Sequence, residues 1–202
     1  MANRLLQRQY PDNLNDIFSY DAASRLTQAV SNRYQNTVSR SYNDDSTVAI
    51  EGLVTNGQNY QISHLFDSAK RNYQTTYPNG KVLSQAFTAR NQLSSVSYDA
   101  QLMANFQYDI GMRETTRGLG NGLTQTTSYR QDNLISQKSV GTITNYSYSY
   151  DANKRKTSET DGTMSSLSQT FGYDFENRLT SWSSNGTTLN QSQSWTLSLE
   201  GA

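Results

Sequence analysis

One beat constrains this chain more than anything else in it. An aromatic residue, Asp, three variable residues and Arg recur at a nearly fixed interval: FSYDAASRL at 18–26, LFDSAKR at 65–71, FQYDIGMR at 106–113, YSYDANKR at 148–155 and FGYDFENRL at 171–179. Taking the aromatic as anchor gives Tyr20, Tyr42, Phe66, Phe87, Tyr108, Tyr129, Tyr150, Tyr173 and Trp195, in steps of 21 to 24 residues. Five anchors carry both the acid and the base: Tyr20 with Asp21 and Arg25, Phe66 with Asp67 and Arg71, Tyr108 with Asp109 and Arg113, Tyr150 with Asp151 and Arg155, Tyr173 with Asp174 and Arg178. Three features in one register mark a tandem array, and an array must be recognised before any local structure is assigned.

The other anchors lack both features. Asn43 and Thr47, Thr88 and Gln92, Arg130 and Leu134, and Thr196 and Glu200 take those places. From Tyr20 to Tyr150 strong and weak units alternate, so neighbouring units are expected to occupy different environments.

Each unit reads as two strands and two turns. Phe171 and Tyr173 share a face because strand side chains repeat every two residues. Asp174–Asn177 is turn chemistry, since Asp bonds the backbone two residues on and Asn tolerates a left-handed conformation. A second turn follows each anchor by 11 to 14 residues at Asn56-Gly57, Asn79-Gly80, Asn121-Gly122, Asp161-Gly162 and Asn185-Gly186. Such pairs suit a two-residue type I′ hairpin, which needs positive φ at both positions. No 3.6-residue apolar stripe persists, so helix is not expected. The fold class is all-β: tandem repeats of about 21 residues forming a long, curled antiparallel β-hairpin ribbon. Eight units give about sixteen strands, some 75 Å across at the usual strand spacing, which requires twist.

Boundaries follow the phase. Residues 1–17 read as the end of a preceding repeat, with Tyr10-Pro11-Asp12-Asn13 placed like Tyr77-Pro78-Asn79-Gly80. Residues 18–194 hold about eight repeats, 195–202 start another, and 1–202 is one array. Only Arg117–Gly122 reads as a longer loop.

Composition argues against an ordinary core. Leu, Ile, Val and Phe make up about 18% of the 202 residues, below the level at which disorder is suspected. Zero net charge and fourteen phased tyrosines favour order. Balanced charge gives no footprint for nucleic acid. With no cysteine there is neither a disulfide framework nor a thiolate zinc site. The first residues have no signal-peptide pattern, and no stretch suits a membrane-spanning helix.

The spacing of Tyr-Asp-x-x-x-Arg-Leu, with its Tyr-Pro-Asn-Gly and Asn-Gly turns, resembles the YD repeats of Rhs (rearrangement hotspot) proteins, toxin-complex C subunits and teneurins. The resemblance runs from Tyr10 to Gly201. It implies a ribbon wound into a hollow shell, which in bacterial members encloses a toxic C-terminal segment and in teneurins serves adhesion. It also implies a secreted or cell-surface parent protein. An Asp-Pro-rich core segment and a variable toxin domain, which the resemblance would lead one to seek, are not found in these 202 residues.

No catalytic constellation is read, and neither cofactor nor metal is expected. His64, the sole histidine, is expected to be structural. The repeated aspartates each stand alone in a turn, without the ligand cluster calcium needs, and are expected to cap. The arginines are expected to pair with aspartates of adjacent turns and to set register, since an exposed pair contributes only about 0–1 kcal/mol. The tyrosines, for example Tyr146, Tyr148 and Tyr150, are expected to form a cross-strand ladder. RGLGNG at 117–122 lacks the strand-to-helix setting of a phosphate loop. Asn145, Asn185 and Asn190 stand in glycosylation patterns that Ser/Thr-rich sequence meets easily.

The leading expectation is a non-catalytic structural segment whose partners are other repeats of a larger chain, or copies of itself joined through open strand edges. The alternative is an adhesion module binding glycan or a partner through its tyrosines. An outer-membrane barrel is a weaker third reading, because it needs longer strands with a lipid-facing apolar band.

Overall fold

A computed structural model describes residues 4–185 and 190–195. Its eighteen described strands pair with their sequence neighbours as antiparallel hairpins, and the one helical element is a short 3₁₀ turn, Ser165–Leu167. The all-β expectation holds. The chain divides into two compact units, Met1–Met103 and Ala104–Ala202.

In the first unit the strands are β1 (Gln7–Gln9), β2 (Asn15–Tyr20), β3 (Leu26–Ser31), β4 (Asn36–Tyr42), β5 (Val48–Thr55), β6 (Gln58–Phe66), β7 (Asn72–Thr76), β8 (Val82–Phe87) and β9 (Leu93–Tyr98). Each pairs antiparallel with the next. The second unit continues from β10 (Gln101–Tyr108), which begins in the first, through β11 (Glu114–Leu119), β12 (Thr124–Tyr129), β13 (Ile135–Val140) and β14 (Thr144–Tyr150). It ends with β15 (Lys156–Asp161), β16 (Gln169–Tyr173), β17 (Leu179–Asn185) and β18 (Asn190–Ser194), again paired in order.

No hydrophobic side chain among the described residues is buried. The buried ones are polar: Thr75, Thr127, Asp161 and Ser168. Anchors Tyr20 through Tyr173 are all half-buried, while Trp195 is exposed. This follows from composition: with so few aliphatic residues, each unit holds its strands by ladder hydrogen bonds and by cross-strand contacts of about 0.2–1 kcal/mol per pair. Tyr146 and Tyr148 illustrate the local version. They lie on the same strand, two residues apart, with ring centroids 6.5 Å apart and planes at 26°. The expected cross-strand ladder is thus, at this place, a stack along one strand.

Every anchor from Tyr20 to Tyr173 sits at an irregularity in register. Ser19 faces Gln28 but Tyr20 faces Leu26, so Thr27 is an extra residue, and the same shift falls at each of the other seven anchors. A bulge bends its strand and re-aims the neighbouring side chain. Here it aims the aromatic toward the turn before it.

The far turns differ from expectation. Asn56 and Gly57 have φ of 47° and 73°, and Thr55 faces Gln58, so this pair is the two-residue hairpin foreseen. At Asn79-Gly80 and Asn121-Gly122 only the glycine has positive φ (78° and 85°). There Tyr77 N–H donates to the Lys81 carbonyl and Gly80 N–H to the Tyr77 carbonyl. Leu119, Gly122 and Leu123 repeat the arrangement. Three loop residues, a type I turn plus one left-handed residue, replace the type I′ turn, and Asn79 Oδ1 accepts the Lys81 N–H at 3.0 Å. Arg117–Gly122 is therefore an ordinary hairpin, not a longer loop. The longer connection is 162–168: Asp161-Gly162 does not turn the chain tightly but leads into the 3₁₀ turn. The expected turn at Asn185-Gly186 lies outside the described residues.

Candidate functional site: the Tyr-Asp turn ladder

The five strong turns, which start at Asp21, Asp67, Asp109, Asp151 and Asp174, share one geometry. In each strong unit the Asp N–H donates to the Arg carbonyl at 3.0 Å, and the residue before Arg donates back to the Asp carbonyl at 2.9 to 3.2 Å. That penultimate residue takes positive φ: Ser24, Lys70, Met112, Lys154 and Asn177, between 60° and 67°. These are again three-residue loops with a left-handed last position. The weak units fold identically, with Asn43 bonded to Thr47, Thr88 to Gln92 and Arg130 to Leu134, and with Ser46, Asn91 and Asn133 left-handed. The strong–weak alternation therefore leaves the backbone unchanged.

The acid locks the turn it belongs to. Asp Oδ1 accepts the Arg backbone N–H at 2.9 to 3.0 Å in all five strong turns. Its second oxygen takes the Arg Nε at 2.5 to 2.7 Å. The expectation of pairing across adjacent turns is corrected here: the ion pair lies within each turn, because a three-residue loop brings the residues that flank it, Asp and Arg, together on one side. In weak turns other oxygens substitute. Thr88 Oγ1 accepts the Gln92 N–H, and Asp45 Oδ1 accepts the Thr47 N–H.

These contacts hold the carboxylates below their usual range. For Asp21 and Asp109 the main cause is the backbone N–H of Arg25 and Arg113, and for Asp67 it is the Arg71 side chain. At Asp151 and Asp174 burial is the largest single influence and pushes upward, but hydrogen bonds from Arg155 and Arg178 together outweigh it.

Held by its own acid, the guanidinium reaches forward to the next repeat. Arg25 lies 4.6 Å from the Tyr42 ring centroid, Arg71 4.8 Å from Phe87, Arg113 4.6 Å from Tyr129 and Arg155 5.0 Å from Tyr173. Nη1 donates to the first carbonyl of that next turn, at Asn43, Thr88, Arg130 and Asp174 respectively. It also donates to the left-handed residue's side chain, at Ser46, Asn91, Asn133 and Asn177. In return the tyrosine hydroxyl donates backward to the carbonyl after the arginine position: Tyr42 to Leu26, Tyr129 to Glu114, Tyr150 to Ile135 and Tyr173 to Lys156, at 2.7 to 2.9 Å. At Tyr42, Tyr129 and Tyr173 one repeat is thus stapled to the next by a stacked cation and by hydrogen bonds in both directions, and at Phe87 by the cation and the forward bonds alone.

Three further members of the ladder are not the arginine of a strong unit. Arg4 stacks at 5.1 Å on Tyr20 and donates to the Asp21 carbonyl and Ser24 Oγ. Its place sixteen residues before Tyr20, against seventeen for Arg25 and Tyr42, is the signal that would have found it. Arg130, at the acid's position of a weak turn, lies 5.4 Å from the Tyr150 ring. Lys70 returns from a strong turn to the Asp45 carbonyl at 3.1 Å. Conversely, Tyr98-Asp99 imitates the motif but lies at a far turn: Asp99 and Ala100 have φ of 52° and 64°, and Asp99 pairs with Lys81.

His64 is held among polar groups, with Nδ1 3.2 Å from Thr75 Oγ1 and 3.0 Å from Asn72 Nδ2, and Nε2 3.8 Å from Glu51. Among the described residues no group of three or more metal-ligating side chains converges, and no helix is long and apolar enough to cross a membrane. Asn145 is engaged by Gln137 at 2.7 Å.

No family model matches the chain, and no curated protein does. Solved structures do. A TcdB2-TccC3-TEV structure aligns with TM-score 0.59 and 13% identity over 90% of this chain, and a TcdB2-TccC3 structure with 0.58 and 13% over 85%. The Photorhabdus luminescens Tc holotoxin pore aligns with 0.54 and 12% over 89%. The chain spans only 12–13% of the length of those chains. At such identity the likeness concerns fold, and it is the fold that the Tyr-Asp beat led one to expect: this chain is built like a short section of the Rhs/YD-repeat chains found in toxin-complex structures.

Proposed function

We propose that the chain is a non-catalytic length of wall in a larger secreted or cell-surface protein of the Rhs/YD-repeat type, where a shell of such repeats encloses a cargo. The observation that carries this reading is the staple. The five acids are engaged in locking their own turns, and Arg25, Arg71, Arg113 and Arg155 in joining one repeat to the next, so the beat is accounted for by structure. The likeness to sections of toxin-complex chains supports the same reading. Its test is the reading frame on either side of these residues. In-register Tyr-Asp repeats should continue there, and unrelated sequence on both sides would contradict the proposal.

A glycan- or partner-binding module is the second reading, favoured by tyrosines outside the ladder that stay exposed, such as Tyr34 and Tyr60. A glycan array with the purified chain tests it: uniform blanks would remove the glycan version.

A further inference from the structure

Asparagine is a thermolabile residue. The backbone nitrogen after it can attack its side-chain carbonyl carbon when both groups are free, most readily where the next residue is glycine and has no Cβ in the way. Three of the Asn-Gly and Asp-Gly pairs among the described residues are held shut against this. At Asn79 the side-chain Oδ1 accepts the Lys81 N–H at 3.0 Å, and the Gly80 N–H donates to the Tyr77 carbonyl at 2.9 Å. At Asn121 the Leu123 N–H, at 3.1 Å, and the Leu119 carbonyl, at 2.9 Å from the Gly122 nitrogen, play the same parts. Asp161 Oδ1 accepts the Thr163 and Met164 N–H groups at 2.8 and 3.0 Å, while the Gly162 N–H donates to the Asn145 carbonyl at 2.7 Å.

Asn56-Gly57 is built differently. Its two-residue turn closes between Thr55 and Gln58, so both tip residues stand beyond the last ladder pair. Neither the Asn56 amide nor the Gly57 N–H has a hydrogen-bond partner among the described residues. Both residues are exposed, and nothing lies within 4 Å of where a Cβ would stand on Gly57. We propose that Asn56 is a site of spontaneous deamidation in the folded chain, by attack of the Gly57 backbone nitrogen on the Asn56 Cγ. The new N–Cγ bond closes a succinimide ring and the Cγ–Nδ2 bond breaks. The amide leaves as ammonia, carrying the proton that the Gly57 nitrogen gives up. Water, the only co-reactant, then opens the ring at either carbonyl to give aspartate or isoaspartate. Either product adds a negative charge to a chain whose formal net charge is zero. Isoaspartate also lengthens the main chain at the tip of the β5–β6 hairpin, at the end of the strands where connections of several lengths already occur.

The test is ageing of the whole chain in mildly alkaline buffer, followed by peptide mapping with mass spectrometry. Asn56 should convert at least about tenfold faster than Asn79 or Asn121, because each of those must first give up two hydrogen bonds. In urea, where those bonds are gone, the three rates should converge. Asn56→Gln, whose longer side chain closes a ring far more slowly, should leave the peptide 41–70 at its starting mass, which separates Asn56 from Asn43 and Asn59. Equal rates at the three tips of the folded chain, an order that survives in urea, or conversion of that peptide at the parent rate in Asn56→Gln would overturn the proposal.

Discussion

The two ends of the strands obey different rules. At one end every described turn, strong or weak, is the same three-residue loop, bonded within itself and, at most junctions, stapled to its neighbour. At the other end the connections vary: a two-residue turn at Asn56-Gly57, another at Asp99-Ala100, three-residue turns at Pro11–Asn13, Pro78–Gly80 and Gly120–Gly122, and a long passage through 162–168. The first end fixes register and pitch; the second absorbs differences in length. This is why the anchor steps range from 21 to 24 residues without disturbing the ladder. The widest step, Tyr42 to Phe66, contains the long strands β5 and β6, of eight and nine residues.

The largest test of that contrast is insertion. One extra glycine between Gly111 and Met112 displaces Arg113 from both Asp109 and Tyr129, and should cost about 2–3 kcal/mol in urea unfolding. The same glycine after Thr142, at the variable end, should cost under about 0.5 kcal/mol. Equal costs would erase the distinction between the ends. Next in size, Arg113→Ala removes a stacked cation and its hydrogen bonds to the following turn, and should lower stability by about 1–2 kcal/mol. Arg113→Lys should recover only part of this, because an ammonium cannot both stack flat and fork.

Smaller again is the hydroxyl. Tyr129→Phe deletes the 2.8 Å bond to the Glu114 carbonyl and should cost about 0.5–1.5 kcal/mol, whereas Tyr34→Phe, at an exposed far turn, should cost nothing measurable. The chain itself tolerates Phe at two anchors, Phe66 and Phe87, so the hydroxyl adjusts the staple rather than creating it. The smallest effect is that of pH. Because the folded pKa of Asp109 is depressed, its contribution is present above the usual carboxylate value and fades as pH falls through the lower folded value. Unfolding curves from about pH 5 downward should lose stability more steeply for the parent chain than for Asp109→Asn, and parallel slopes would refute this.

Much of the first end was legible in sequence, because turn chemistry there is written in side chains that cannot be exchanged freely. Asp is placed to bind the N–H four residues on, and Arg is long enough to leave its own turn. The left-handed position was legible at Asn177 but not at the other strong turns. Ser24, Lys70, Met112 and Lys154 occupy it without glycine, since closure of the loop by two backbone bonds offsets the cost of positive φ. The direction of the arginines was misjudged for a related reason: spacing along the chain cannot tell whether an acid four residues away or one a repeat away is nearer. At the second end Asn-Gly pairs located two three-residue turns but misnamed their type. Asn32–Gln35, Asp99-Ala100 and Gly141–Ile143 went unread because they carry no Asn-Gly or Asp-Gly pair.

The stacking of each arginine on the following aromatic is the contact on which the account rests, and a double-mutant cycle reads it directly. Arg113→Ala and Tyr129→Leu, alone and combined, should show a coupling of about 0.5–1.5 kcal/mol in urea unfolding. Additive losses, with coupling near zero, would mean that the two repeats merely lie side by side and that the staple contributes nothing.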